Sequence, residues 1–320
     1  MAGRATTRAL LLHLAVLAAL VLLYWILPDY HRGVLARVLV LAVFAAGYNI
    51  VFGYAGLLSL GHAMFFAAGI YGAGLPVYHL DWGVGAAFAA GVGAGALLAL
   101  VVGMLALRTT GVAFMIVTMM FSQVFYLTTL YFTQWTRGEE GLVLPQAARR
   151  LALPGLEIDL SDPASRYFVA VALFAVVLMA SLAIVRAPFG RVLVAIRENE
   201  ERVRMLGYDV FSNKLAAMVI SGAFCAAAGA AYAVLFGYIG STFAAIQYSI
   251  LPLLWVLLGG AGTVLGPLLG TVFMFYVVDI TSGYTSAYLL IVGVALIVLV
   301  LFFPKGVLGT IRERWLKWLP

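Results

Sequence analysis

From Leu10 to Leu27, from Val169 to Val185 and from Leu289 to Phe303 the chain carries no charged side chain. Such runs approach or reach the roughly 17–25 residues that cross a bilayer as a helix. This constrains the fold more than any other feature, because it makes lipid the solvent. Composition agrees: 65% of the residues are hydrophobic and the mean hydropathy is +1.09, whereas soluble domains are about 45–50% apolar. The 34 glycines suit close packing of membrane helices, where small residues let backbones approach. A net charge of +6 then reflects basic cytoplasmic loops rather than nucleic-acid binding.

Ten hydrophobic segments can be drawn, at 9–27, 34–52, 57–79, 84–107, 111–132, 166–186, 213–236, 249–259, 264–281 and 286–303. The expected fold is an all-α, polytopic transmembrane bundle forming a single permeation domain over 1–320. The first segment is too long for a signal-peptide core and reads as a retained span. The eighth is too short to cross alone. With the ninth it flanks "GGAGTVLGP", which reads as a broken or re-entrant helix, tolerated at membrane depth when buried in protein or lining a cavity.

Lysine and arginine set the orientation. With the N-terminus inside, Arg4, Arg8, Arg108, the six basic residues from 186 to 214, Lys305, Arg312, Arg314 and Lys317 face the cytoplasm, thirteen of nineteen. Both termini and residues 187–212 are therefore expected inside, and the loop 133–165 outside.

The internal loop is a dense polar island: ten of the 32 charged side chains lie between Arg186 and Lys214. From Gly190 to Leu206 the pattern is helical, with Leu193, Ile196, Val203 and Leu206 near one face. Glu198–Arg202 and Glu200–Arg204 are favourable i,i+4 pairs. Gly207 suits the position after a helix end, and Ser212 or Asn213 can cap the next span. The expectation is a short docking helix with Ile196, Val203 and Leu206 as apolar anchors and Arg197, Glu201 and Arg202 as its rim. An ordinary basic cytoplasmic loop is the plainer alternative.

The stretch "GRVLVAIRENEERVRMLGYDVFSNKLAAMVISGAFCAAAGAAYA" resembles the cytoplasmic coupling loop of permease subunits in bacterial branched-chain amino-acid ABC importers, the LivM-like branch. The general E-A-A-x-x-x-G motif is partly kept: Glu201 and Gly207 hold the spacing, while Arg202 and Val203 replace the alanines. "GYAGLLSLGHAMFFAAGIYGAG" (53–74), "VLLGGAGTVLGPLLGTVF" (256–273) and "FFPKGVLG" (302–309) agree with the same branch. The resemblance implies a multi-pass protein of the bacterial inner membrane. Its partners would be two ATP-binding subunits on the cytoplasmic loops, a second, related permease, and an extracytoplasmic substrate-binding protein. The chain supports the separate ATPase independently. A P-loop needs Gly-Lys-Ser/Thr, and its three lysines follow Asn213, Pro304 and Leu316.

Two glycine segments resemble each other: G-x-A-G recurs at 53–56 and 259–262, with Gly61 and Gly266 beyond. Corresponding Gly-interrupted segments in two halves point to a transport site; close helix packing explains them equally well. Path candidates are Gly53, Tyr54, Gly56, Ser59, Gly61, His62, Gly259, Gly262 and Gly266. His62 reads better as a neutral histidine bonded to a neighbour than as a cargo contact. Thr118, Ser122 and Gln123 form a further polar stripe, and Asp279 is the acid within a drawn span, near its outer end. The single cysteine, Cys225, and the scattered histidines at 13, 31, 62 and 79 offer no metal site, no cofactor site and no catalytic constellation. The sequence reads as a non-enzymatic permease for branched-chain amino acids, with urea or short amides as alternative cargo. A self-sufficient carrier or channel is the rival from another class, and it would want carboxylates at mid-membrane.

Overall fold

The computed structural model describes residues 2–153, 156–285, 287, 290, 293–294, 297, 301–302 and 305–314. Among the described residues, seven helices are long and apolar enough to cross a membrane. They are Ala2–Ile26 (α1), Asp29–Asn49 (α2) extended by a π-helical turn to Tyr54, His62–Leu80 (α3), Val84–Ala106 (α4), Gly111–Tyr131 (α5), Pro163–Arg186 (α7) and Val210–Phe236 (α10). The shorter pair Ile246–Gly259 (α11) and Gly266–Ser282 (α12) meets at the glycine turn 260–265. A four-residue helix, Thr133–Thr136 (α6), begins the long loop; Pro188–Glu198 (α8), Glu200–Met205 (α9) and Gly306–Arg314 (α13) stand outside the long helices. Nine of the ten expected segments are thus helices. The tenth, 286–303, falls largely outside the described residues.

α2, α3 and α10 form the centre, with α4 against α3 and α10, and α7 and α12 against α2. Small residues set the spacing. Gly47 of α2 lies on Ser221 and Cys225 of α10, and Gly69 of α3 on the backbone of Ala226. α1 and α5 are peripheral and expose Leu22, Val112, Met120 and Val124, as expected of surfaces solvated by lipid. The loop between α5 and α7 adds a component absent from the all-α expectation. Leu142–Val143 (β1) pairs antiparallel with Tyr238–Ile239 (β4), and Arg150–Leu153 (β2) with Leu156–Asp159 (β3), in register Arg150↔Asp159.

The polar island departs from one continuous helix. α8 starts at Pro188 and ends at Asn199, whose extended backbone (φ −161°, ψ 102°) lets its side chain cap α9 by accepting the Arg202 N–H at 2.9 Å. Asparagine makes this switch readily because its side chain competes for backbone donors. The break dissolves the expected Glu198–Arg202 pair, and Glu198 bonds Arg197 instead, at 2.8 Å. Glu200–Arg204 forms at 3.2 Å, and Glu200 also takes Lys214 at 2.5 Å. Gly207 ends α9 with φ +86°, a conformation open to glycine at little cost. The cap of α10 is Asp209 rather than Ser212 or Asn213: its carboxylate accepts the Ser212 N–H at 3.2 Å.

Candidate functional site

The alternation of the helices carries both glycine segments, α8, α9 and α13 to one end of the bundle. α2 does not stop cleanly there. Its last turn widens into a π-turn, with the Ala55 N–H bonded to Ile50 O and the Leu57 N–H to Val51 O. Residues 55–61 then fold back into the bundle, and α3 begins at a fully buried His62.

Unwound backbone inside a membrane protein needs internal partners, and three different helices supply them. The Leu60 N–H donates to Thr118 Oγ1 on α5 (3.3 Å), and the Ala63 N–H donates to Ser249 Oγ on α11 (2.9 Å). Tyr48 Oη donates to the carbonyl of Ser59 (3.1 Å). His62 is satisfied at both nitrogens. Ser221 on α10 commits its one proton to Gly47 O (2.6 Å), so its oxygen accepts from His62 Nε2 (2.9 Å). His62 Nδ1 in turn accepts from Ser59 Oγ (3.0 Å), whose oxygen also takes the Gly61 N–H (3.2 Å). This chain of bonds fixes a neutral histidine that positions the loop. Thr118 and Ser122 point inward and bond to the carbonyls of Met115 and Ala244.

The two glycine segments touch. Asn49, the last residue of α2 and 2% exposed, donates from Nδ2 to Thr263 O (2.9 Å) and accepts the Gly262 N–H at Oδ1 (3.0 Å). A side chain on Gly53 would collide with Asn49 and with the Gly262 amide. Gly262, at φ +72°, exposes its N–H and C=O to opposite partners, the carbonyl accepting Arg312 Nη1 at 3.1 Å. Gly259 and Gly266 face each other where α11 meets α12, serving close packing. Gly56 is exposed beside the stem of Arg197, and Tyr54 is buried between Arg197 and Arg312.

Arg197 reaches from α8 into this cluster. Its Nη1 donates to Gly53 O at 2.6 Å. It therefore clamps the glycine loop, while the rest of its guanidinium group pairs with the exposed Glu198. The expected apolar anchors are also rearranged. Ile196 and Val203 are 3% and 4% exposed and pack with Val210 inside the chain, because the break at Asn199 folds α9 back toward the start of α10. Leu206, 71% exposed, remains available, joined by Met205, Tyr208 and Phe211. Glu201 and Arg202 are exposed beside them. Asn49, Ser221 and Ser249 escaped the sequence reading, and Arg312 entered it as a cytoplasmic charge and not as a site residue. Each lies in or beside a helix whose motif signal is elsewhere, though an asparagine in the apolar run 34–52 was visible as a polar residue demanding partners.

Residues 31–301 match the family model described as branched-chain amino acid transport system / permease component. The high-affinity branched-chain amino acid transport system permease protein LivM of Salmonella typhimurium (strain LT2) is 27% identical over 293 residues, covering 85% of this chain and 68% of the relative. Its namesake from Escherichia coli (strain K12) is 26% identical over the same shares. A probable LivM of Methanocaldococcus jannaschii is 39% identical over 88 residues, 27% of this chain and 26% of that protein. No solved structure shows a significant match. With the family model covering most of the chain and both glycine segments inside the matched region, this protein belongs to the family of branched-chain amino acid transport permease components.

Proposed function

We propose that this chain is the membrane subunit of an ATP-driven importer of branched-chain amino acids. It pairs with a second, related permease in the bacterial inner membrane; two separate subunits hydrolyse ATP, and an extracytoplasmic protein delivers the cargo. The termini and 187–212 face the cytoplasm, and 133–165 faces outward, as the distribution of basic residues favours. The ATPase grips the exposed Met205–Tyr208 surface of the island.

The observation that carries this reading is the bond from Arg197 Nη1 to Gly53 O. A rigid α8 that shifts against the bundle pulls on the π-helical turn that leads into the unwound segment 55–61. Asn49 conveys that displacement to Gly262 and Thr263, and Arg312 holds the same turn from α13. Unwound loops respond because they have no helical hydrogen-bond ladder to resist. Motion at the docking surface therefore reaches two backbone segments that border the path.

A self-sufficient carrier fits less well. Asp279 lies near the end of α12, where both its oxygens take the Tyr30 hydroxyl at 2.8 and 2.9 Å; it offers no proton relay at mid-membrane. Purification in mild detergent from the native membrane tests the class. Two nucleotide-binding chains should accompany the protein, and transport by the reconstituted assembly should require ATP and prefer leucine, isoleucine or valine over urea. Uptake by the purified chain alone, driven by an ion gradient, would sink the proposal.

A further inference from the structure

At the end of the bundle that carries α8, a cavity of about 320 Å3 opens beside the glycine turn. Arg186 at the end of α7, Arg191 and Arg197 on α8, and Arg312 on α13 line it, with Tyr54 and Gly262 between them. No carboxylate is among the described residues that line it. Glu198 pairs with Arg197 but faces a neighbouring cavity beside Asn199 and Lys214. Arg197 and Arg312 each commit one N–H to a loop carbonyl. Guanidinium groups gathered around one concavity give it a positive potential that favours an anion, more strongly where water is partly excluded. A second observation is independent of charge. Tyr54 is 3% exposed and its hydroxyl, buried at this cavity, has no hydrogen-bond partner among the described residues. Buried hydroxyls usually find one.

We propose that this cavity binds a phosphate-bearing anion, the headgroup of an anionic phospholipid, with the guanidinium groups and the Tyr54 hydroxyl donating to its oxygens. Planar guanidinium forks match phosphate oxygens in pairs. The site sits where the apolar run of α7 ends at Val185 and Arg186, the level at which a headgroup lies when its acyl chains follow a helix. Basic pockets between membrane helices at this boundary suit anionic headgroups. An occupied site would brace Arg197 and Arg312, and through them the glycine turn, so lipid composition would tune the loops.

Native mass spectrometry of the full chain tests this, titrating phosphatidylglycerol against phosphatidylcholine of the same acyl length. Tyr54→Phe removes no hydrogen bond seen in the structure, and Arg191 lies exposed, so both Tyr54→Phe and Arg191→Gln should fold, as a thermal melt verifies. Each should weaken phosphatidylglycerol binding about tenfold, the loss expected of one charge-assisted hydrogen bond, and leave phosphatidylcholine unaffected. Arg108→Gln, which removes a charge from the same end but not from the cavity, should change neither. Inorganic phosphate separates the sources: failure to displace phosphatidylglycerol assigns the site to lipid, whereas displacement assigns it to a free phosphate. Equal binding of the two lipids, or wild-type preference in both cavity variants, overturns the proposal. So does loss of the lipid on assembly with the ATPase, which would give the cavity to a protein partner.

Discussion

Asn49 ends a helix in the most buried part of the bundle, where an amide without partners would be costly, and it spends both halves of that amide on the glycine turn 262–263. Asn49→Ala leaves the Gly262 N–H and the Thr263 carbonyl unpaired. It should destabilise the protein by about 2 kcal/mol or more, at roughly 1–3 kcal/mol per stranded group, seen as a lower melting temperature in detergent; an unchanged melt would mean the two loops are held otherwise. Gly56→Leu and Gly262→Leu test the loops from the other side. Both positions have positive φ, +71° and +72°, and a side chain at either meets Arg197. Insertion should be normal and uptake abolished; normal uptake in either would remove that loop from the path. The glycines were legible in the sequence because G-x-A-G recurs. Their partner was not, since one asparagine within an apolar run carries no spacing signal, and only the fold brings residues 49 and 263 together.

At the scale of elements, the hydrophobic runs located nine helices, because spanning length and apolar composition are local properties. The island was read less well. Periodicity alone favours one helix from Gly190 to Leu206, yet Asn199 caps a new one, turning Ile196 and Val203 inward and leaving Met205 and Leu206 outside. Two substitutions separate these roles. Leu206→Asp should leave the melting temperature unchanged and weaken association with the ATPase, since a truncated anchor costs more than a rim charge. Arg202→Ala should have a milder effect in the same pull-down. Ile196→Asp buries a carboxylate and should lower the melting temperature even without a partner. Matching effects of Leu206→Asp and Ile196→Asp on the isolated chain would show that the island does not fold as described.

Across the whole molecule, one end gathers the glycine loops, α8, α9 and α13, and the other carries the paired strands of the long loop. Single cysteines at Glu140 and Arg202, in a Cys225→Ala background, should therefore label from outside and inside respectively in intact cells; external labelling at position 202 would invert the orientation. The basic residues favour this orientation, and the labelling tests it; the contact between loops some two hundred residues apart could not be foretold, because it depends on how α2 and α11 pack. The central claim is that α8 drives the glycine loops through Arg197. Arg197→Ala, reconstituted with its partners in vesicles, tests it by following ATP hydrolysis and leucine uptake together. The variant should still assemble and hydrolyse ATP while uptake falls at least about tenfold, the effect of losing one strong charge-assisted bond from the moving contact. Uptake that keeps its wild-type ratio to ATP hydrolysis would contradict the account.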